Sequence, residues 1–309
     1  MNLELFILGT GGMMPLPGRF LTSVLLRREG DLFLFDCGEG TQVSLRKLNL
    51  KWKKISTIFI SHTHADHVTG LPGIMMLSSQ VERKEPLYII GPPTIREYVE
   101  TSRKALDMYI NYEVIIQEIH EPGVVFRGEG YRVEAFRLNH TKPCFGYTLI
   151  EEPRPGVFNP DAAKALSVPK GPMWARLQAG NDVALPGGGI VRPEQVLGKE
   201  RKGRKFSFVT DTKYVETIKD NVADSDLLIC EGMFRDELRV SAEEKKHLTS
   251  VQSAAIAKAA GGVKKMGLIH YSPRYTEYDL RHLLHEAREI FPDTFLCKDG
   301  QSIDIPFED

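Results

Sequence analysis

The stretch Ser61-His62-Thr63-His64-Ala65-Asp66-His67 places three histidines and an aspartate within six residues, directly after the apolar run 55–60. Neutral imidazole and carboxylate are the donor types that hold Zn²⁺ or a similar divalent ion. In an extended or turning segment His62 and His64 face the same way, because alternate residues share a face. Asp66 and His67 then fall on the continuing loop, free to serve a second ion. This density of metal-binding side chains at a strand end reads as part of a metal centre, although it does not name a substrate.

Stepping along the chain, one pattern recurs. His62, His140, Asp211, Glu231 and His270 each sit just past the C-terminal end of an expected strand. Several strand ends delivering polar groups to one rim is how α/β sheets build active sites. His247 lies in a loop of the same kind. His282 and His285 stand among charges on the last expected helix and read as surface residues, and His120 reads as a loop histidine.

The elements that must position these groups follow from hydrophobic patterning. Strands are expected over 3–8, 22–27, 32–35, 87–90, 114–119, 124–126, 131–138, 145–150, 206–210, 226–230, 265–269, 294–297 and 302–305. Helices are expected over 42–48, 70–80, 93–106, 215–222, 248–260 and 277–290, the fifth capped by Thr249 or Ser250 and stopped by Gly261-Gly262. Gly9-Thr10-Gly11-Gly12 does not fit a dinucleotide or phosphate-loop spacing. It reads as a tight turn that lets backbone approach the site.

Residues 151–205 differ in composition. They hold seven of the 18 prolines and eight of the 27 glycines, with ten Lys/Arg against six Asp/Glu. This segment reads as an inserted, mobile arm with a basic surface, within a chain otherwise forming one domain over 1–309. The net charge of -1 excludes a global polycation, so nucleic acid would have to be bound through a local basic patch. The four cysteines form no Cys-x-x-Cys pair, which fits a reducing cytoplasm. The N-terminus lacks the features of an export signal, and no stretch approaches the length of a membrane span.

The set His62-x-His64-x-Asp66-His67, then His140, Asp211 and His270, resembles the metallo-β-lactamase superfamily. That resemblance implies an αββα sandwich of four layers with a two-zinc site. His62, His64 and His140 would hold one Zn²⁺, Asp66, His67 and His270 the other, and Asp211 would bridge. Mn²⁺ is an alternative metal. The likeness narrows to the ribonuclease Z family, the tRNA 3′-processing endonucleases. Gly9-Thr10-Gly11, the run 35–42, the run 67–73, Phe145-Gly146-Tyr147, Gly171-Pro172, His247-Leu248-Thr249 and His270-Tyr271-Ser272-Pro273-Arg274-Tyr275 carry it, in order and across essentially the whole chain.

By that resemblance the substrate is precursor tRNA and the chain is a homodimer in which one subunit's arm serves the other's site. Asp66 would orient the attacking water. His247 would give a proton to the departing 3′-oxygen, with Glu231 holding the imidazole. Arg274 would clamp the scissile phosphate, with Ser272 and Tyr275 as hydrogen-bond donors. The arm, with Gly171 and Pro172 in its characteristic motif, would grip tRNA through backbone phosphates. One stretch departs from the family. Pro15-Leu16-Pro17-Gly18-Arg19-Phe20 keeps the Pro and Arg of a Pro-x-Lys-x-Arg-Asn loop but lacks its Lys and Asn, so where the cut falls relative to CCA does not carry over.

Other readings fit less well. A secreted β-lactamase would need an export signal, and a thioester hydrolase would leave the basic arm unexplained. A larger mRNA-cleaving relative would need a big inserted domain. A non-catalytic RNA-binding module would not need His247 and Glu231, and a structural metal site would more often be closed and cysteine-rich.

Overall fold

Strand β1 (Leu3–Gly9) shows how the layers are made: Leu3, Leu5 and Ile7 enter one buried cluster, while Phe6 and Leu8 enter another. Alternation of side chains along a strand puts them on opposite faces, so β1 is covered on both sides. The computed structural model describes residues 2–81 and 83–308. The other strands are β2 (Ser23–Arg28), β3 (Asp31–Phe35), β4 (Ile55–Phe59), β5 (Leu87–Gly91), β6 (Val114–Glu118), β7 (Gly123–Gly128), β8 (Tyr131–Asn139), β9 (Pro143–Glu151), β10 (Val183–Ala184), β11 (Ile190–Val191), β12 (Lys205–Val209), β13 (Leu227–Glu231), β14 (Met266–Ile269), β15 (Thr294–Leu296) and β16 (Ser302–Asp304).

Two seven-stranded sheets result, with orders β16-β1-β2-β3-β4-β5-β6 and β15-β14-β13-β12-β9-β8-β7. In the first, β3 to β6 run parallel; in the second, β12 to β15 do. Parallel neighbours need crossovers, and helices supply most of them.

The central core lies between the sheets. Phe35 and Phe59 from one sheet meet Tyr147, Phe206 and Phe208 from the other, with the Phe35 ring 5.1 Å from Phe59 and 5.3 Å from Phe206. Each ring buried there contributes roughly 1.5–3 kcal/mol by removal from water. Outer clusters join each sheet to its helices: Leu71, Ile74 and Ile95 on one side, Ala254, Ile256, Leu280 and Leu283 on the other. This is the expected αββα sandwich.

The chain divides into two compact units, Met1–Ile150 with Lys205–Pro306, and Glu151–Arg204 with Phe307–Asp309. The smaller unit has its own core of Ala163, Val168, Leu177, Val183, Val191 and Val196. It contains helices Pro160–Ala165 and Pro172–Gln178 and the pair β10-β11, which patterning alone did not indicate. Asn159 before Pro160 and Gly171 before Pro172 carried the cue, since proline is preorganised for the first turn of a helix. At its root Arg204 donates to both oxygens of Glu151, at 2.7 and 2.9 Å. The Phe307 ring lies 3.4 Å from the Arg154 guanidinium and 3.7 Å from that of Arg204.

Other differences are local. The helix expected over 215–222 forms only at Ile218–Val222. Just ahead of it the chain is held at the end of β8, where Lys213 N–H donates to the Asn139 carbonyl and Thr212 Oγ1 accepts from Asn139 N–H. Thr249 is the N-cap of Ser250–Ala260, in a reciprocal box with Gln252, and Gly261 follows at φ 69°. A further helix, Arg239–Lys245, was not anticipated. Among the described residues no helix is long and apolar enough to cross a membrane.

Candidate metal centre

Four strand ends deliver the centre. β4 ends at Phe59, and the segment after it carries His62 and His64. His140 follows β8 directly, Asp211 comes two residues after β12, and His270 follows β14. Asp66 and His67 are not on a continuing loop as expected. They lie in one helical turn, Ala65–Val68, which His64 enters in extended backbone at ψ 153°. No glycine or proline interrupts 64–69, so the turn closes, with His67 N–H donating to the His64 carbonyl at 3.1 Å. The turn brings both side chains back toward His270.

The donors fall into two sets around Asp211. His62 Nε2 and His140 Nε2 lie 2.9 and 3.1 Å from His64 Nδ1, and each is 3.6 Å from Asp211 Oδ2. His67 Nε2 and His270 Nε2 lie 3.3 and 3.2 Å from Asp211 Oδ1, and 3.7 and 3.9 Å from Asp66 Oδ2. The two oxygens of Asp211 therefore face different sets of nitrogens.

A second layer of contacts fixes the ring tautomers. Asp36 Oδ2 accepts from His67 Nδ1 at 2.7 Å and from the Ser61 hydroxyl at 2.8 Å. Having donated its hydrogen, Ser61 Oγ accepts from His62 Nδ1 at 3.0 Å. Thr22 Oγ1 donates to the Gly11 carbonyl and accepts from His270 Nδ1 at 2.8 Å. The Lys246 carbonyl accepts from His140 Nδ1 at 2.9 Å. Each of these imidazoles thus has its Nδ1 committed outward and its Nε2 turned to the centre, the arrangement that metal-ligating histidines use.

These residues fit a divalent cation. Nε2 of His67 and of His270 are buried and have no hydrogen-bond partner among the described residues. Burial holds His62 well below the ordinary histidine value, and it lowers His64 and His140 too, which keeps these rings neutral and able to ligate. Burial also works against charge on His67, yet Asp211, Asp66 and Asp36 outweigh it and hold that ring well above its usual value. Burial raises Asp211, but His270, His67 and His62 hold it well below the usual carboxylate range. The spot between these groups favours positive charge.

The glycine loop approaches as expected. A Cβ on Gly12 would sit 2.6 Å from His270 Nε2, so only glycine fits. The next residue, Met13, donates its N–H to Asp66 Oδ2 at 2.7 Å. Burial raises Asp66, but His67 and His270 bring it below its ordinary value.

His247 stands beside the centre. Its Nδ1 is 2.9 Å from Glu231 Oε2 and 3.8 Å from Asp211 Oδ2. Glu231 is fully buried, and its other oxygen accepts from the N–H groups of Thr212 and Leu248. Burial lowers His247, but Glu231 and then Asp211 overcome it and push the ring up to about 9.

The proposed phosphate contacts are placed as follows. Arg274 Nε donates to the hydroxyl of buried Ser272 at 3.1 Å, and its guanidinium lies 5.1 Å from the Phe234 ring. Tyr275 is buried, and its hydroxyl accepts from Arg235 N–H at 3.0 Å. Gly171 is exposed at φ 129°, before helix Pro172–Gln178 of the smaller unit. Arg19, in the stretch that departs from the family pattern, donates to the Tyr275 carbonyl and to Glu277 Oε1.

Several residues of the centre were not singled out from sequence: Asp36, Thr22, Ser61 and the backbone of Met13 and Lys246. The run Asp36-Cys37-Gly38 at the end of β3 was the one visible cue, and it pointed to no role.

Sandwich and centre together define a metallo-β-lactamase-fold protein with a site for divalent metal. The solved structure of the metallo-β-lactamase fold protein YhfI from Bacillus subtilis matches with a TM-score of 0.69 at 17% identity, covering 98% of this chain and 100% of that one. A family model described as Anti-Pycsar protein Apyc1 matches residues 3–154, just under half of the chain. A ribonuclease Z of Treponema denticola is 66% identical over 309 residues, covering 100% of both chains. Human tRNase Z, short form, matches with a TM-score of 0.72 at 26% identity, covering 98% of this chain and 100% of that one. The chain belongs to the ribonuclease Z family.

Proposed function

We propose how this tRNA 3′-processing endoribonuclease cuts its substrate. The observation that supports the reading most is Asp211, with one oxygen toward His62 and His140 and the other toward His67 and His270. His62, His64 and His140 would hold one Zn²⁺, Asp66, His67 and His270 a second, and Asp211 would join both. Bound there, the ions would activate water and neutralise charge on the phosphoryl group, and Mn²⁺ could replace zinc.

The chain's own residues do the rest. Asp66, held through Oδ2 by Met13 N–H, orients the attacking water. His247 donates a proton to the departing 3′-oxygen, leaving a 3′-hydroxyl on the tRNA. Glu231 is a positioning residue: it fixes the His247 ring and keeps it protonated at neutral pH. Arg274 meets the scissile phosphate, with Ser272 setting its orientation and Tyr275 bracing the segment. The basic arm at 151–205, with Gly171 and Pro172 exposing the start of its second helix, grips the tRNA backbone. The same reading makes the working enzyme a cytoplasmic homodimer whose arms serve each other's centres.

The test is direct. The purified protein, loaded with Zn²⁺ or Mn²⁺, is expected to cut a precursor tRNA bearing a 3′ trailer and to leave a 3′-hydroxyl. No cleavage across several precursors, alongside good thioester hydrolysis, would overturn this reading.

A further inference from the structure

A groove begins at the metal-holding segments and runs along the helix Ile95–Ala105. It has a cavity volume of about 670 Å³. Thr63 lines its inner end and sits between His62 and His64; Lys142 lines it too, two residues beyond His140. The Lys142 ammonium donates to the Thr63 carbonyl at 2.9 Å, and Thr63 Oγ1 is 3.1 Å from Thr94 Oγ1. The groove therefore opens beside the His62-His64-His140 set with a cation and paired hydroxyls at its head.

Its chemistry changes along its length. Further out it is lined by the Tyr98 ring and by Leu106, which is 58% exposed, with the Ser102 hydroxyl between them in sequence. Tyr98 spends its hydroxyl on the Val68 carbonyl at 3.0 Å, which turns the phenol into a fixed wall. An exposed apolar surface beside hydroxyls and one ammonium suits single-stranded nucleic acid, whose bases stack while its phosphates and 2′-hydroxyls take polar contacts. Among the described lining residues Glu97 sets one carboxylate against the Lys142 ammonium, so charge alone would not hold an anion there.

We propose that this groove takes the 3′ trailer of the precursor as single-stranded RNA. The inference rests on the reading of the centre given above. In that reading the departing 3′-oxygen, and with it the tRNA body, lies toward His247. The trailer, on the other side of the scissile phosphate, must then leave the centre by a path of its own, and the groove opens from the segments that bear His62, His64 and His140. A cavity of this volume holds nucleotides and not a duplex.

The experiment compares precursors with trailers of one, three and six nucleotides, cut by the metal-loaded enzyme and by Lys142→Ala and Leu106→Glu. Leu106 is exposed at the end of its helix, so its replacement tests the groove without threatening the fold. Both variants are expected to raise KM severalfold on the longer trailers and to leave a small phosphodiester unchanged, and Leu106→Glu, at the far end of the groove, should also spare the one-nucleotide trailer. For Lys142→Ala the log–log salt slope of binding to the six-nucleotide precursor should fall by about 0.7, the share of one phosphate contact on a single strand. A loss equal on all substrates would make Lys142 a support for the ligand loops and overturn the proposal, as would no loss in either variant. Failure of the unaltered enzyme on every precursor would instead overturn the reading of the centre.

Discussion

His247 Nδ1 lies 2.9 Å from Glu231 Oε2, and the buried Glu231 is itself pinned through its second oxygen by two backbone N–H groups. A carboxylate held this way can orient an imidazole without moving. If His247 is the proton donor, His247→Ala should lower kcat by about 10²–10⁴, the usual worth of a placed general acid. Metal content, read by elemental analysis, should stay as it was. Loss of metal in that variant would make His247 a ligand, since it also belongs to a cluster with Asp211 and His270.

The same pair sets a pH dependence. The ring is pushed up to about 9, above the ordinary value of 6.5, so it is protonated at neutral pH. The rate should hold through neutrality and fall as the pH rises past the folded value, because the acid loses its proton. In Glu231→Gln the main group raising the ring is gone, and the falling limb should move to lower pH. The contribution of the pair to stability has the matching sign: fully present below about 6.5, and lost as pH rises through about 9. A rate profile with an unmoved limb in Glu231→Gln would contradict this role.

Asp36 lies in the run 35–42 that carries the family likeness but has no role legible from sequence, yet it holds two ligand rings, His67 directly and His62 through Ser61. It also sits at φ 55°, a conformation that asparagine and aspartate tolerate better than alanine. Asp36→Asn therefore removes charge with little added backbone strain. Contacts of this kind typically bring 10–100-fold in metal affinity, so about that loss is expected in competition with a chelator. Unchanged affinity would show that the ring orientations are held by packing alone.

These cases mark what the chain discloses in one dimension. Strand ends are legible because apolar alternation stops where a strand stops, and the groups at 140, 211 and 270 stood out just there. The tautomer-setting partners are different. Thr22 and Asp36 are 248 and 31 residues from the histidines they serve, and no local pattern links them. The turn that carries Asp66 and His67 is also invisible to periodicity, being only four residues long. Proline and glycine in the 151–205 segment suggested loop. There they start helices, and a small apolar set at 163, 168, 177, 183, 191 and 196 closes over them.

That small core lets the arm be removed cleanly. Asn159 N–H donates to the Val196 carbonyl at 2.7 Å, and Phe158 bridges Leu197, so the two ends of the stretch 160–195 lie side by side. A short glycine turn can replace it without disturbing the Glu151–Arg204 pair at the root. The shortened protein loses both helices and β10-β11 and keeps both seven-stranded sheets. If the arm serves tRNA, binding of precursor should weaken by at least tenfold in a filter or fluorescence assay, with a shallower salt dependence as phosphate contacts vanish. Hydrolysis of a small phosphodiester should persist, because none of the seven proposed ligands lies in the removed stretch. If both activities fell together while metal content held, the arm would belong to the catalytic unit and the division of labour proposed for it would be wrong.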